Sequence, residues 1–322
     1  MKNQDERIPY SPYRCTKHLK NILRNGYSFE FTSNFVISLL KYERKDYVKY
    51  IFDNYIFNNK FVIDLLLFIK NNNDPSLAKE YIEKKVDIKR SKITIDMNNL
   101  LKNIENTEMC KLIMEYTDNH HIILGINKSD EYGNYPFLHA TRNNNIELCR
   151  LIMEYADDHN IILEINKSDV ADDYPLINAT YGKTCEKCKL ILDYANNHNI
   201  VLEVNKLNVN GHNPVLNATY NDTCEMFKLI IEYANSHNII LEINKSDMDE
   251  GYYPLLNAAL CNNIKMCRLI MEYADDHNIV LEINKSDING DNPFSLASRH
   301  NNTEMCNLIK EYAKNHNIKY YM

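Results

Sequence analysis

The sequence predicts an all-α fold, a helical solenoid of stacked helix-turn-helix repeats with short turn or hairpin tips. Two observations lead to this prediction: several residue types recur at a fixed spacing, and each interval between them has the pattern of two helices. The composition agrees with a folded globular chain, because its 322 residues are 44% apolar and 25% charged.

The repeat is visible in four columns of identical residues, whose members are spaced by 39 residues with a single step of 40. Tyrosine recurs at Tyr116, Tyr155, Tyr194, Tyr233, Tyr273 and Tyr312. Histidine follows four residues later, at His120, His159, His198, His237, His277 and His316. Proline recurs at Pro136, Pro175, Pro214, Pro254 and Pro293, and alanine four residues later at Ala140, Ala179, Ala218, Ala258 and Ala297. Such a period is typical of a solenoid, in which each unit buries its apolar face against the next unit.

A single unit shows which elements the pattern predicts. Residues 130–133 (DEYG) form a turn, with glycine at the position that needs a positive φ. Proline is tolerated at the first position of a helix, so a short helix is predicted from Pro136 to Arg142. A second helix is predicted from Ile146 to His159, with one polar stripe and apolar residues around the rest of its circumference. Such a helix must be covered on two sides, as it is between neighbouring repeats.

The longest recurring phrase stands at residues 155–169 (YADDHNIILEINKSD) and 273–287 (YADDHNIVLEINKSD). We interpret it as the seam between units, meaning the end of the second helix and the return to the next turn. Asn160 is predicted to be a left-handed helix cap, and the histidine before it to bond the free carbonyls of the helix end. Ile161, Leu163 and Ile165 are predicted to tuck the chain under the stack.

The units resemble ankyrin repeats, a family whose motif reads D-x-x-G-x-T-P-L-H-x-A. The matching positions are Asp130, Gly133, Pro136, Phe137 and Ala140 in one unit, and Asp287, Gly290, Pro293, Phe294, Leu296 and Ala297 in the last. There are three departures. About six extra residues lie near the end of the second helix and its return, tyrosine or asparagine replaces the capping threonine, and Asp172 replaces one turn glycine. The resemblance covers residues 95–322 and implies an elongated ankyrin-like solenoid.

Two regions are predicted along the chain. Residues 1–94 lack the turn-proline signature and are predicted to be degenerate helical repeats that form an N-terminal cap region. Ankyrin-like units are predicted near residues 95–126, 127–165, 166–204, 205–243, 244–283 and 284–322. In the last unit, Lys310 follows a column of Met, Leu and Ile, and Lys319 follows Val280. We interpret these changes as a C-terminal cap, since no further unit covers these positions.

The distribution of charge and the length of the apolar runs restrict the partners and the compartment that the sequence predicts. Residues 1–94 contain 18 Lys and Arg against 11 Asp and Glu, whereas the remaining residues contain 19 against 33. An acidic body disfavours nucleic acid, and the longest apolar stretch, residues 61–69, is too short to span a membrane. No signal-peptide pattern is present, and the nine cysteines follow no secreted disulfide framework. We therefore expect a cytoplasmic monomer that binds neither nucleic acid nor membrane.

Catalytic and metal-binding constellations are not evident, so the sequence predicts no enzyme, no metal and no cofactor. The cysteine column of Cys149, Cys188 and Cys267 contains Phe227 in one unit, which indicates an apolar core position. Cys185 and Cys188 form a C-x-x-C motif, but a fourth zinc ligand is missing. Two alternatives stay open: a zinc-stabilised repeat protein, and an enzyme whose site lies in residues 1–94.

A candidate interaction surface follows from the ankyrin resemblance, which implies that partners bind a concave strip of turn tips and first-helix edges. On this sequence the strip consists of Glu131, Tyr132, Asn134, Arg142, Asp173, Tyr181, Asn210, His212, Tyr220, Asp249, Tyr252, Leu260, Asp291, Arg299 and His300. The side chains expected to contact a partner are Tyr132, Asn134, Arg142, Tyr181, His212, Tyr220, Tyr252, Arg299 and His300. These positions vary between units, and tyrosine and arginine are typical interface anchors. The sequence thus favours a non-catalytic protein-interaction scaffold.

Overall fold

A computed structural model describes residues 33–42, 47, 51, 107–119, 123–143, 145–182, 184–220 and 224–319. They fall into two groups, one up to Leu124 and one from Gly125 onward, and each is described by itself. The first group contains helices α1 (Ser33–Lys41) and α2 (Thr107–Asn119). Apart from α1 and a few single positions, residues 1–94 lie outside the described residues. The predicted N-terminal cap region, the boundary at residue 94 and the unit limits therefore stay predictions.

The group from Gly125 onward consists of helix pairs. The pairs are α3 (Pro136–Arg142) with α4 (Ile146–Asp158), α5 (Pro175–Thr180) with α6 (Glu186–Asn197), α7 (Pro214–Thr219) with α8 (Glu225–Ser236), α9 (Pro254–Leu260) with α10 (Ile264–Asp276), and α11 (Pro293–Arg299) with α12 (Thr303–Asn315). Each short first helix packs against its own second helix and against the first helix of the next pair. No strand occurs among the described residues. The predicted all-α solenoid of stacked helix pairs is thus confirmed.

Each first helix begins at its proline, and the residue before the proline takes one of two roles. Asn213 and Asn292 cap their helices, because their side chains accept hydrogen bonds from Leu216 N and Ser295 N. Tyrosine makes no side-chain cap at the other three helices, as expected. Its hydroxyl instead reaches the seam that joins its unit to the next: Tyr174 OH lies 2.9 Å from both Glu203 O and Lys206 O. Tyr135 and Tyr253 make the same contacts one unit before and two units after.

Each second helix ends as the sequence predicts. The cap histidine stacks on the tyrosine four residues before it, with ring centroids 4.0 Å apart for Tyr155 and His159. His159 Nδ1 lies 2.9 Å from Tyr155 O, a carbonyl of the last helical turn that also accepts the backbone N–H of His159. The next residue has a positive φ in every described unit from Gly125 onward: Asn160, Asn199, Asn238, Asn278 and Asn317. Asparagine tolerates this conformation better than any other residue except glycine, so the predicted left-handed cap is confirmed.

Asparagine also joins the seams of neighbouring units, in a pattern that we call the asparagine ladder. Asn127 Nδ2 donates to Ile162 O at 2.7 Å, and Asn127 Oδ1 accepts from Glu164 N at 3.1 Å. The same two bonds are made by Asn166, Asn205 and Asn244. Each side-chain amide therefore donates one hydrogen bond to the backbone of the next seam and accepts one from it. A neighbouring strand would pair in the same way, although these described residues form no strand.

The core lies between the units, where the cysteine column is buried. Cys149, Cys188, Phe227 and Cys267 are inaccessible to solvent, as the exchange of cysteine for phenylalanine predicts. Burial raises the pKa of the thiols of Cys149, Cys188 and Cys267 to about 12. These thiols are therefore neutral side chains that fill space, and they are not nucleophiles.

The two columns that become lysine in the last unit differ in burial. Met153, Leu192 and Met271 are buried, and Lys310 at the same position places its Nζ 5.1 Å from the centre of the Phe294 ring. The other column was expected to be covered, and this is wrong: Ile162, Val201, Ile240 and Val280 are 54–59% exposed. In the extended return, successive side chains point in opposite directions. Leu281 and Ile283 point into the core, so Val280 faces solvent.

Candidate interaction surface

The strip lies on turn tips that the chain holds in one conformation. Asp130 Oδ1 accepts hydrogen bonds from Tyr132 N and Asn134 N, both at 2.9 Å. The first residue of each later tip also accepts hydrogen bonds from two or more backbone N–H groups of its own tip: Asp169, Asn208, Asp247 and Asp287. Glycine occupies the positive-φ position of four tips, and Asp172 adopts a φ of 57° in the fifth. These bonds within each turn fix its backbone before any partner arrives.

Neighbouring tips are joined to one another. Val170 N donates to Tyr132 O at 3.0 Å, and Val209 N donates to Ala171 O at the same distance. Met248 N and Ile288 N make the equivalent bonds to the tips before them. The strip is therefore one continuous backbone surface across the five described units.

Three of the predicted side chains come together at the centre of the strip. Tyr181 and His212 have ring centroids 6.0 Å apart, and His212 and Tyr220 have theirs 6.4 Å apart. The Tyr181 hydroxyl lies 3.0 Å from His212 Nδ1. We call these three residues, which come from two successive units, the aromatic run. Tyr181 is 51% exposed and Tyr220 is 39% exposed, so large parts of both rings face solvent.

Polar side chains next to the aromatic run hold the Tyr181 hydroxyl in place. Asn208 Nδ2 lies 2.9 Å from Asp173 Oδ1 and 3.4 Å from the Tyr181 hydroxyl, so one amide links the carboxylate to the phenol. Partial burial is the main cause that raises the pKa of Tyr181, and the charge of Asp173 adds to it. Burial likewise raises the pKa of Tyr220, with further contributions from the charges of Asp247 and Glu250. Both phenols therefore stay neutral and can donate hydrogen bonds near neutral pH.

Two more predicted tyrosines lie on tips at either side of the aromatic run. Tyr132 is 55% exposed on the first described tip. Tyr252 is half-buried, and a hydrogen bond with the Glu250 carboxylate is the main cause that raises its pKa to about 12. Tyrosine side chains thus occur on the strip from the first described unit to the fourth.

The remaining predicted residues are held by contacts within the chain. Arg142 bonds Asn134 Oδ1 at 2.9 Å and forms a salt bridge of 2.6 Å with Asp169 of the next unit. Arg299 pairs with Asp291 at 2.5 Å. His300 Nε2 lies 3.0 Å from Leu260 O in the preceding unit. Both arginines lie toward the ends of the strip, and their charges are already partnered.

Reasoning from the sequence missed some residues that shape this surface. Asn208 and Asp169 were not selected, although a column of Asp or Asn at the first tip position is readable in the sequence. It also missed Lys187, which is 2% exposed and donates from Nζ to Thr141 O at the end of α3. Burial lowers the pKa of Lys187. The signal was a lysine in a column that holds leucine or methionine in other units.

The described residues contain neither a metal-ligand cluster nor a membrane-spanning helix. Within them, no group of three or more His, Cys, Asp or Glu side chains is placed to hold a metal ion. Cys188 is buried and Cys185 is partly exposed. Across the same residues, no helix has both the length and the apolar character needed to cross a bilayer.

Comparison with known proteins finds likenesses among solved structures. The chain is similar to the crystal structure of EF0377, an ankyrin repeat protein, with a TM-score of 0.49 and 20% sequence identity over 67% of this chain and 97% of that chain. No family model and no curated protein matches the sequence. The fold is therefore assigned from the repeats themselves, each with a turn tip, a short helix opened by proline, a longer helix and a return. By this architecture, the described residues from Gly125 onward form an ankyrin-like helical solenoid with an elongated return.

Proposed function

We propose that this chain is a non-catalytic scaffold that binds a protein partner on the strip, without a cofactor or metal. The observation that supports the proposal is the aromatic run, in which partly exposed side chains of two successive units lie side by side. Exposed rings that contact one another across units make a surface large enough to anchor a partner, and tyrosine is enriched among residues that dominate binding energy.

The rigidity of the tips supports the same function. Binding by a flexible loop loses conformational entropy, whereas a preformed surface avoids most of that cost. Bonds within each tip and between neighbouring tips hold the strip in one conformation, as the Asp130 turn and the Val170 N to Tyr132 O bond illustrate. A partner therefore meets side chains whose backbone is already ordered.

A comparative pull-down tests this function. The full chain and a Tyr132→Ala, Tyr181→Ala, Tyr220→Ala triple variant would be immobilised and exposed to lysate of the cells that make the protein. The matched control is the triple variant Ile162→Ala, Val201→Ala, Ile240→Ala, which removes side chains of similar exposure from the seam. We expect at least one protein to be retained by the wild type and the control but lost from the tyrosine variant. Identical sets of retained proteins in all three would overturn the proposal.

A further inference from the structure

The charge around the aromatic run is mainly negative. The tips and first helices of the three central units, residues 169–182, 208–220 and 247–260, contain six Asp and Glu and no Lys or Arg. The loops that follow two of these helices add Lys183 and Asp222, one charge of each sign. The centre of the strip is therefore strongly acidic at neutral pH, while the arginines lie toward its two ends.

Most of these carboxylates keep their charge available to a partner. Asp169 is paired with Arg142, and Asp247 is buried and accepts backbone N–H groups of its own tip. In the described structure Asp172, Asp173, Asp249 and Glu250 have no salt bridge to Lys or Arg. Of these, Asp173 is linked to Tyr181 through Asn208, and Glu250 is bonded to Tyr252.

The charge of at least one carboxylate acts on each of three tyrosines of the strip. The charge of Asp173 acts on Tyr181, that of Glu250 acts on Tyr220, and those of Glu250 and Asp287 act on Tyr252. An aromatic face attracts a cation through its quadrupole, and a nearby carboxylate adds a direct charge interaction. Guanidinium groups match both features, because they are planar, stack on rings and pair with carboxylates.

From this complementarity we propose that the strip binds a positively charged, extended protein segment whose Arg or Lys side chains lie on Tyr181, Tyr220 and Tyr252 and pair with Asp173 and Glu250. This inference rests on the proposed function and specifies its partner. The spacing of the run supports an extended segment. The ring centroids of Tyr181 and His212 are 6.0 Å apart and those of His212 and Tyr220 are 6.4 Å apart, close to the distance between alternate side chains of one extended chain.

The test uses fluorescence anisotropy of labelled twelve-residue peptides with the full chain. The probes are an alternating Gly-Arg peptide, an alternating Gly-Ser peptide and an alternating Gly-Glu peptide. We expect the Gly-Arg peptide to bind at least about tenfold more tightly than the Gly-Ser peptide and to weaken as salt is raised. No binding is expected for the Gly-Glu peptide. Equal affinity for Gly-Arg and Gly-Ser would overturn the inference.

Matched variants separate this site from general attraction to an acidic protein. Tyr181→Ala with Tyr220→Ala is expected to weaken Gly-Arg binding about tenfold, and Tyr→Phe at both positions to retain it, because the ring faces remain. Asp173→Asn with Glu250→Gln is expected to weaken binding more than Glu232→Gln with Glu272→Gln, which removes two exposed carboxylates from second helices. Equal losses from both carboxylate pairs would contradict a defined site.

The outcomes for this inference and for the proposed function are distinguishable. A pull-down partner that depends on the strip but contacts it through a neutral or acidic segment would overturn the inference and leave the scaffold function standing. Specific Gly-Arg binding together with no strip-dependent partner would support the inference about chemistry and contradict the broader function.

Discussion

The seam and the strip are made by the same repeat, yet they differ in how side chains are used. In the seam, each side chain has the same partner in every described unit: asparagine bonds the next return, histidine stacks on tyrosine, and a second asparagine caps the helix. On the strip the backbone repeats but the side chains do not. Tyr132 and Tyr252 occupy tips, whereas Tyr181 and Tyr220 end first helices.

The difference teaches how to separate structure from recognition within one repeat protein. A position that must contact the neighbouring unit is constrained identically in every copy, so its residue recurs. A position that faces solvent carries no such constraint, and its residues diverge. Divergence alone indicates only that the residue at a position is not constrained by the neighbouring unit. Contact among divergent residues, as in the aromatic run, is the further observation that favours binding.

The largest expected effect that tests this contrast is alkaline unfolding. The thiols of Cys149, Cys188 and Cys267 have a pKa of about 12 in the folded chain against 9.0 for an unperturbed thiol. The unfolded state therefore ionises first, so stability is full below pH 9 and falls as pH rises toward 12. Each buried thiol lowers the stability of the folded chain by about 1 kcal/mol for every pH unit in this window. We expect the melting temperature to fall steeply above pH 9.

A pair of cysteine variants in one unit checks the cause of that pH dependence. Cys267→Ala is expected to reduce the loss of stability between pH 9 and 11, because it removes a buried thiol. Cys261→Ala removes an exposed thiol and should leave the slope unchanged. The assignment to buried thiols would be wrong if both variants followed the wild-type curve.

Two tyrosines in one unit provide the next test. Tyr174→Ala removes a buried ring and its hydroxyl contacts to the seam that joins its unit to the next, and we expect a loss of about 3–5 kcal/mol in the free energy of unfolding. Tyr181→Ala removes a half-exposed ring of the strip and should cost about 1 kcal/mol or less. Urea denaturation followed by circular dichroism measures both. Similar losses would mean that the strip is as structural as the seam.

Removing one asparagine of the asparagine ladder is expected to lower the free energy of unfolding by a smaller amount. Asn205→Ala removes the bonds to Ile240 O and Glu242 N, and we expect a loss of about 1–2 kcal/mol, since water can reach part of this site. Asn210→Ala, on an exposed tip of the same unit, should change stability by less than about 0.5 kcal/mol. The same urea titration decides between them, and an unaffected Asn205→Ala variant would show that the ladder contributes no stability.

No effect at all is expected from metal removal. Purified protein treated with a chelator should keep its melting temperature, and Cys185→Ser should leave the metal content unchanged. A stoichiometric zinc that is lost in Cys185→Ser would instead favour the zinc-stabilised alternative, with Cys188 as a further ligand.

Much of the fold could be predicted because helix periodicity and cap residues are local signals. The starts at proline, the left-handed Asn160 and the buried cysteine column follow from residues within one unit. Contacts between units could not be predicted from such signals. The Tyr174 hydroxyl bonds residues 29 and 32 positions away, and nothing in a single unit indicates that reach. Val280 was misjudged because a column pattern does not show which way an extended segment turns its side chains.

The candidate surface was predictable in outline only. The positions came from the ankyrin resemblance, and their exposure for Tyr132, Tyr181 and Tyr220 agrees with it. Their mutual contacts depend on the distance between stacked units, which the sequence does not contain. For the same reason the pairing of Arg142 with Asp169, 27 residues later, was not foreseen.

The asparagine ladder also bears on how such a chain can change length. Each amide connects only adjacent units, and the receiving carbonyl and N–H are backbone groups that every unit possesses. Duplication or deletion of one whole 39-residue segment in the gene would therefore recreate an existing junction and require no compensating mutation. The number of repeats can therefore change by whole units during evolution, while the asparagine contacts between units remain the same.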